Sequence, residues 1–213
     1  MLFGVLIYED VEPIDLATYG VLSMARRIRP DIEICTIAPR AGVTKLANGL
    51  QVIADHDFQT APRLDMLIVT GGPGWIAQTR SPETLAFIRS QAEKIPVVSV
   101  CTGGLILAAS GVLDGKAATT KREVVEPEVS PLRRLREEFP RIDAREASLV
   151  DEGRIVTGGG VSLCIDTMLH VLAKLYGPEM AAETARIIEY QRARAANLEQ
   201  FPPILKIDEV VAS

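Results

Sequence analysis

Residues 97–104 read Val97-Val98-Ser99-Val100-Cys101-Thr102-Gly103-Gly104, a short apolar run that ends on a thiol and passes at once into glycines. A continuous apolar run bounded by Pro96 and by glycines is what a strand covered on both faces requires, and such strands belong mostly to parallel sheets. From Thr102 to Ser110 almost every residue is small or apolar, so the helix that follows is predicted to be buried all round. Strand, cysteine, small residues and helix in immediate succession are the pattern of a nucleophile elbow, in which Gly103 and Gly104 let the backbone turn and the side chain of Cys101 projects from the C-terminal edge of the sheet. At such a position the thiol faces unpaired N–H groups and the positive end of a helix dipole, both of which favour the thiolate.

Outward from the elbow the same two patterns alternate. Leu2 to Tyr8, Ile32 to Ala38 and Met66 to Thr70 are further continuous apolar runs, and Ala117 to Thr120 is a fifth predicted strand. Helical stretches are expected from Pro13 to Arg27, Ser81 to Glu93 and Pro131 to Phe139, with the prolines at first-turn positions and Ser81 as a cap. A later helix carries Val161, Ile165, Met168, Leu172 and Leu175 on one stripe, and a single last helix runs from Pro178 to Ala195. Asn48-Gly49 predicts a hairpin between Val43 to Ala47 and Leu50 to Ala54, and Asp151-Glu152-Gly153 predicts a second between Glu146 to Val150 and Arg154 to Thr157. The resulting expectation is an α/β three-layer sandwich, a mostly parallel central sheet flanked by helices, formed by one domain over residues 1–196. Residues 197–213, with Pro202-Pro203, are expected to form an extended C-terminal arm.

Composition narrows the function. The 213 residues are 47% apolar and 24% charged, long enough to bury about 70% of the unfolded surface in one core. A net charge of -5 leaves no basic excess for a phosphate backbone, and the Arg133, Arg134 and Arg136 cluster reads as a solvated helix face. Nucleic acid is therefore not an expected partner. Cys35, Cys101 and Cys164 stand at no metal-ligand spacing and cannot all pair, which predicts reduced thiols in the cytoplasm, with no metal and no cofactor. No run reaches the length of a membrane span.

With Thr70-Gly71-Gly72-Pro73-Gly74 upstream of the elbow, Ala118-Thr119-Thr120 after a Gly-Val-Leu-x-Gly stretch, and Gly158-Gly159-Gly160 before Ile165-Asp166, the chain resembles the ThiJ/PfpI superfamily of class I glutamine-amidotransferase-like proteins. It is most similar to the isonitrile hydratase branch and to the ligand-binding halves of certain AraC-type regulators. The resemblance implies a flavodoxin-like fold and a homodimer, with the terminal helix or the Phe201 to Leu205 segment available as its interface. It implies Cys101 as the nucleophile and a carboxyl in the first helical turn as the proton carrier, matching Asp15 in Ile14-Asp15-Leu16, with Glu12 as the competitor. It further implies that the N–H groups of Gly72 and Thr102 stabilise charge on the substrate, and that Gly71, Gly74, Trp75, Gly103 and Lys121 surround it.

Lys121 stands where many relatives carry a histidine. The two histidines here, His56 and His170, read as structural, so a Cys-His pair is disfavoured. The expected activity is hydration of an isocyanide to an N-substituted formamide. The alternatives are glyoxalase-like or deglycase-like work on small dicarbonyls, or a non-catalytic sensor of a metabolite or of oxidative stress.

Overall fold

The computed structural model describes residues 1–206 of the chain. In chain order, β1 (Leu2–Leu6) leads through a 3-10 turn at Pro13–Leu16 into α1 (Ala17–Ala25), and β2 (Glu33–Ile37) follows. The hairpin of β3 (Gly42–Lys45) and β4 (Gln51–Ala54) forms as expected, with Asn48 and Gly49 both at positive φ. Next come β5 (Met66–Val69), the single turn α2 (Trp75–Gln78), α3 (Pro82–Ala92), β6 (Val97–Ser99) and α4 (Gly103–Ser110). The Ser81 hydroxyl accepts from the Thr84 N–H and so caps α3. The C-terminal half contributes β7 (Ala117–Ala118), α5 (Pro131–Glu138), β8 (Asp143–Ala144), β9 (Leu149–Asp151), β10 (Ile155–Gly158), α6 (Leu163–Tyr176), α7 (Pro178–Ile187), α8 (Gln191–Gln200) and β11 (Ile204–Leu205).

The main sheet has the order β11-β9-β10-β6-β5-β1-β2. Its β2-β1-β5-β6-β10 core is parallel throughout, and β9 runs antiparallel to β10. This is the flavodoxin-like strand order, and the continuous apolar runs are explained by it: Phe3, Val5, Leu6, Leu67, Ile68, Val97 and Val98 are all inaccessible to solvent. One group of helices, α1, α6 and α7, packs together, and α2, α3, α4 and α5 form another. Along α4 every residue from Gly103 to Ala108 is buried, as the apolar composition demands.

Because the chain leaves β1 in one direction along the sheet to make β2 and returns on its other side to make β5, the direction reverses between β1 and β5. Ligands in such sheets sit outside the carboxyl ends of the strands at that reversal. Asp15 follows β1, Gly71 follows β5 and Cys101 follows β6, so the fold alone brings them to one crevice.

Four expectations need correction. Ala117–Ala118 pairs with β8 in a small separate sheet. The first helix begins as a 3-10 turn that carries Asp15. On α6 the most buried stripe is Cys164, Thr167, Met168, Val171 and Leu172, with Ile165 and Leu175 only half-buried. The last helix is broken at Glu189, which takes φ 55°, and resumes as α8, which reaches Gln200 and so includes Asn197. The break lets Tyr190 and Asn197 both donate to Asp166 Oδ2, at 2.9 and 2.8 Å. The extended part of the arm starts at Phe201, adds β11 beside β9, and beyond residue 206 lies outside the described residues.

Among the described residues no helix is long and apolar enough to cross a membrane. Asp151, in β9, accepts from His170 and Lys174 of α6 at 2.7 Å each. Burial alone would push this carboxyl up, yet those bonds and the Gly153 N–H hold it down to about 2. A carboxyl depressed in the folded state stabilises the fold above its unfolded value, and that stabilisation disappears as pH falls through the folded value. The stability gap between the native protein and Asp151→Asn is thus expected to be full above about pH 4 and to close toward pH 2. Urea unfolding of both proteins across that range checks it, and a gap independent of pH would contradict it.

Candidate active site

Cys101 occupies a left-handed backbone conformation, φ 53°, between β6 and α4. Such a conformation is costly for a residue with a Cβ and persists only where the surroundings enforce it. Here the Cys101 N–H donates to the Gly159 carbonyl at 3.1 Å, and the Cys101 carbonyl accepts from the Thr120 hydroxyl at 2.6 Å. The sulfur reaches the cavity from a side chain that is only 2% exposed.

Asp15 is fully buried on the 3-10 turn. Its Oδ2 accepts from the Gly71 N–H at 2.7 Å, while Oδ1 has no hydrogen-bond partner of normal geometry. Burial pushes this carboxyl up to about 7, against the lowering effects of the Gly71 N–H, the Cys101 thiol and Lys121. Burial and the neighbouring Asp15 carboxylate in turn drive the Cys101 thiol well above its ordinary value, outweighing Thr102 and Lys121. The acidity expected from the helix N-terminus alone is therefore overridden. The two groups form a pair around one proton, and protonating Asp15 removes one of the two causes that hold the thiol neutral.

Thr102 and Gly72 do come together, in a different arrangement from the expected pair of free N–H donors. The Gly72 N–H donates to Thr102 Oγ1 at 2.8 Å, and the Thr102 hydroxyl leans on the Gly72 carbonyl at 3.3 Å. This second bond is long, so the group best placed to turn toward a substrate oxygen or nitrogen is the Thr102 hydroxyl. Gly72 takes φ 134°, and a Cβ there would lie 2.1 Å from the Glu12 nitrogen, so only glycine lets this loop close on residues 10–12.

The cavity outside the pair measures about 630 Å³. Trp75 and Lys121 line it as expected, together with Glu12 and Gly72. Gly71, Gly74 and Gly103 do not: each faces backbone behind the wall, where a Cβ would stand 2.5 Å from the Thr102 nitrogen, 2.0 Å from the Glu9 carbonyl and 2.3 Å from the Val69 carbonyl respectively. Sequence reasoning missed the outer wall, made by Ile14, Ile76, Val124, Val129 and Arg134. Residues 121–130 carry no periodic pattern that would have announced it. Arg134 belongs to the cluster read as a solvated face; Arg133 is indeed exposed and pairs with Glu137, but Arg134 lies over the Trp75 ring at 5.9 Å. Its position at the cavity edge depends on where Trp75 lies, which α5 alone does not reveal.

Neither histidine lines the cavity. The His56 backbone bridges to residues 36 and 38 beside β2, and His170 is bonded to Asp151. Among the described residues no group of His, Cys, Asp and Glu has the makings of a metal site. Cys164 is buried behind Asp15, its thiol directed at the Ile14 carbonyl at 3.8 Å, and burial pushes it up to about 12.

Comparison with known proteins fits this geometry. The family model described as the DJ-1/PfpI family matches residues 4–174. An isonitrile hydratase from Pseudomonas putida is 32% identical over 192 residues, covering 88% of this chain and 76% of the relative. The HTH-type transcriptional regulator GbdR of Pseudomonas aeruginosa is 31% identical over 78% of this chain, which spans only 46% of that regulator. Among solved structures, a ThiJ/PfpI family protein from Pseudomonas syringae superimposes with a TM-score of 0.77 at 25% identity, covering 94% of this chain and 87% of the other.

Proposed function

The chain belongs to the DJ-1/PfpI family, and from that premise we propose that it is a cysteine-dependent hydratase converting an isocyanide to an N-substituted formamide. The observation that carries the reading is a carboxyl held near neutrality beside a buried thiol, in a cavity with no histidine. The sulfur of Cys101 attacks the isocyanide carbon, a C–S bond forms, and the proton held between the pair goes to that carbon, leaving a thioimidate. Water then adds across the C=N bond, its oxygen bonding to the carbon while Asp15 takes a proton from the water and passes that same proton to the nitrogen. Collapse of the adduct breaks the C–S bond, releases the formamide and restores the thiol. The Thr102 hydroxyl steadies the nitrogen or the incoming oxygen.

The glyoxalase-like alternative loses ground because no histidine reaches the cavity. The sensor alternative draws support from the regulators among the relatives, although a buried thiol raised above its ordinary value counts against oxidative sensing, which runs through an accessible thiolate. A homodimer, as the family resemblance implies, would cover exposed Leu198, Ile204 and Leu205 at the C-terminal end.

Purified protein given a panel of aryl and alkyl isocyanides is expected to produce the matching formamides, and Cys101→Ala to lose about 10³-fold or more of that rate. If no isocyanide is consumed, or if Cys101→Ala turns over as well as the native protein, the hydratase reading fails.

A further inference from the structure

Tyr8, two residues past the end of β1, is 1% exposed, and its hydroxyl donates to the Thr70 carbonyl at 2.9 Å. The Thr70 carbonyl and the Gly71 N–H belong to one planar peptide unit and point to opposite sides of it. The Gly71 N–H is the donor that holds Asp15 Oδ2 at 2.7 Å. Tyr8, this peptide and the Asp15 carboxyl therefore form one unbroken hydrogen-bond chain ending at the group beside Cys101. In such a chain each bond polarises the next, so donation to the carbonyl makes the N–H of the same unit a stronger donor.

We propose that Tyr8 is a positioning residue for the Cys101–Asp15 pair: its hydroxyl orients and polarises the Thr70–Gly71 peptide, whose N–H grips the Asp15 carboxylate. Tyr8 thereby sets how readily Asp15 gives up and takes back its proton, the property the hydratase reading uses, although the chain itself stands independently of any substrate. Nothing in the sequence pattern hints at this, because a tyrosine at the end of a buried strand reads as core. The other ionisable groups that act on Asp15 are Glu12 from its own turn, Lys121 from the cavity wall, Cys101 from the elbow and Cys164 from α6.

The test is the titration of Asp15 itself, read from the carboxyl ¹³C resonance in aspartate-labelled protein without any isocyanide and assigned by its disappearance in Asp15→Asn. Tyr8→Phe removes the donor to the carbonyl, weakens the Gly71 N–H as a donor and is expected to raise the Asp15 midpoint by about half a pH unit. Replacing Tyr8 alone with 3,5-difluorotyrosine strengthens the donor and is expected to lower the midpoint. Burial, which holds the Tyr8 hydroxyl well above its ordinary value, favours the neutral form of that phenol. Opposite shifts support the proposal, since a merely structural role would move the midpoint the same way or not at all. A midpoint unmoved by the fluorinated residue, or displaced upward by it, overturns the proposal even if Tyr8→Phe fails to fold. Because no isocyanide is present, that failure is distinct from failure of the hydratase reading.

Discussion

Asp15→Asn is expected to lose about 10²- to 10³-fold in isocyanide turnover and, in the same protein, to gain stability at alkaline pH. Both effects come from one cause. A buried carboxyl held at about 7 keeps its proton in the folded state over a pH range where the unfolded chain has released it. In that window the native state binds more protons than the unfolded state, so native stability falls as pH rises from about 4 to 7. Above pH 7 the folded protein carries the full cost of a buried charge, up to about 4 kcal/mol for a displacement of this size. Asparagine never ionises, and its carbonyl oxygen can still accept from the Gly71 N–H. The variant is thus expected to be the more stable protein at pH 8 and to lose that advantage near pH 4. Urea midpoints at both pH values decide the matter: parallel pH dependence in the two proteins would mean that Asp15 is not raised in the fold. Competitor Glu12 makes a useful contrast, since it is half-buried at the cavity and Glu12→Gln should leave this pH dependence in place.

The elbow and the sheet were legible because their signals are local. Val97 to Val100 had to be buried on both faces, Cys101 had to turn, and Gly103 and Gly104 had to admit the turn. Asp15 was legible only through resemblance, since an aspartate in a first helical turn ordinarily faces water; its burial comes from the closure of residues 70–72 over residues 10–12, a contact between segments far apart in sequence. The break at Glu189 was hidden for a similar reason. Its neighbours are adequate helix formers, and the force that reverses the backbone there is the attachment of Tyr190 and Asn197 to Asp166 on another helix. The Gly72 donor was misread by analogy with free backbone donors. The threonine after Cys101 brings a hydroxyl that takes that N–H for itself, so in the proposed mechanism the donor is a side chain and not the backbone.

Gly103→Ala is expected to destabilise the protein by about 3 kcal/mol or more, and Gly20→Ala to stabilise it by about 0.5–1 kcal/mol, although both exchange a helical glycine for the best helix former. Propensity alone predicts a gain at each. At Gly20, on α1, a methyl group would meet nothing within 4 Å, so the gain in backbone entropy is realised. At Gly103 the methyl would stand 2.3 Å from the Val69 carbonyl and 2.9 Å from the Thr70 carbonyl. Those atoms are backbone at the end of β5, in the middle of the sheet, and cannot turn aside as a side chain would. Relief therefore requires α4 to lift away from β5. Because Cys101 and Thr102 lead directly into α4, the lift would also carry the sulfur away from Asp15 and Thr102 Oγ1 away from the Gly72 N–H. Gly103→Ala should consequently lose turnover under conditions where it remains folded, while Gly20→Ala keeps it. Urea unfolding of the three proteins, paired with the rate of each, tests the argument; a Gly103→Ala protein as stable as the native one would show that α4 does not owe its position to this close approach.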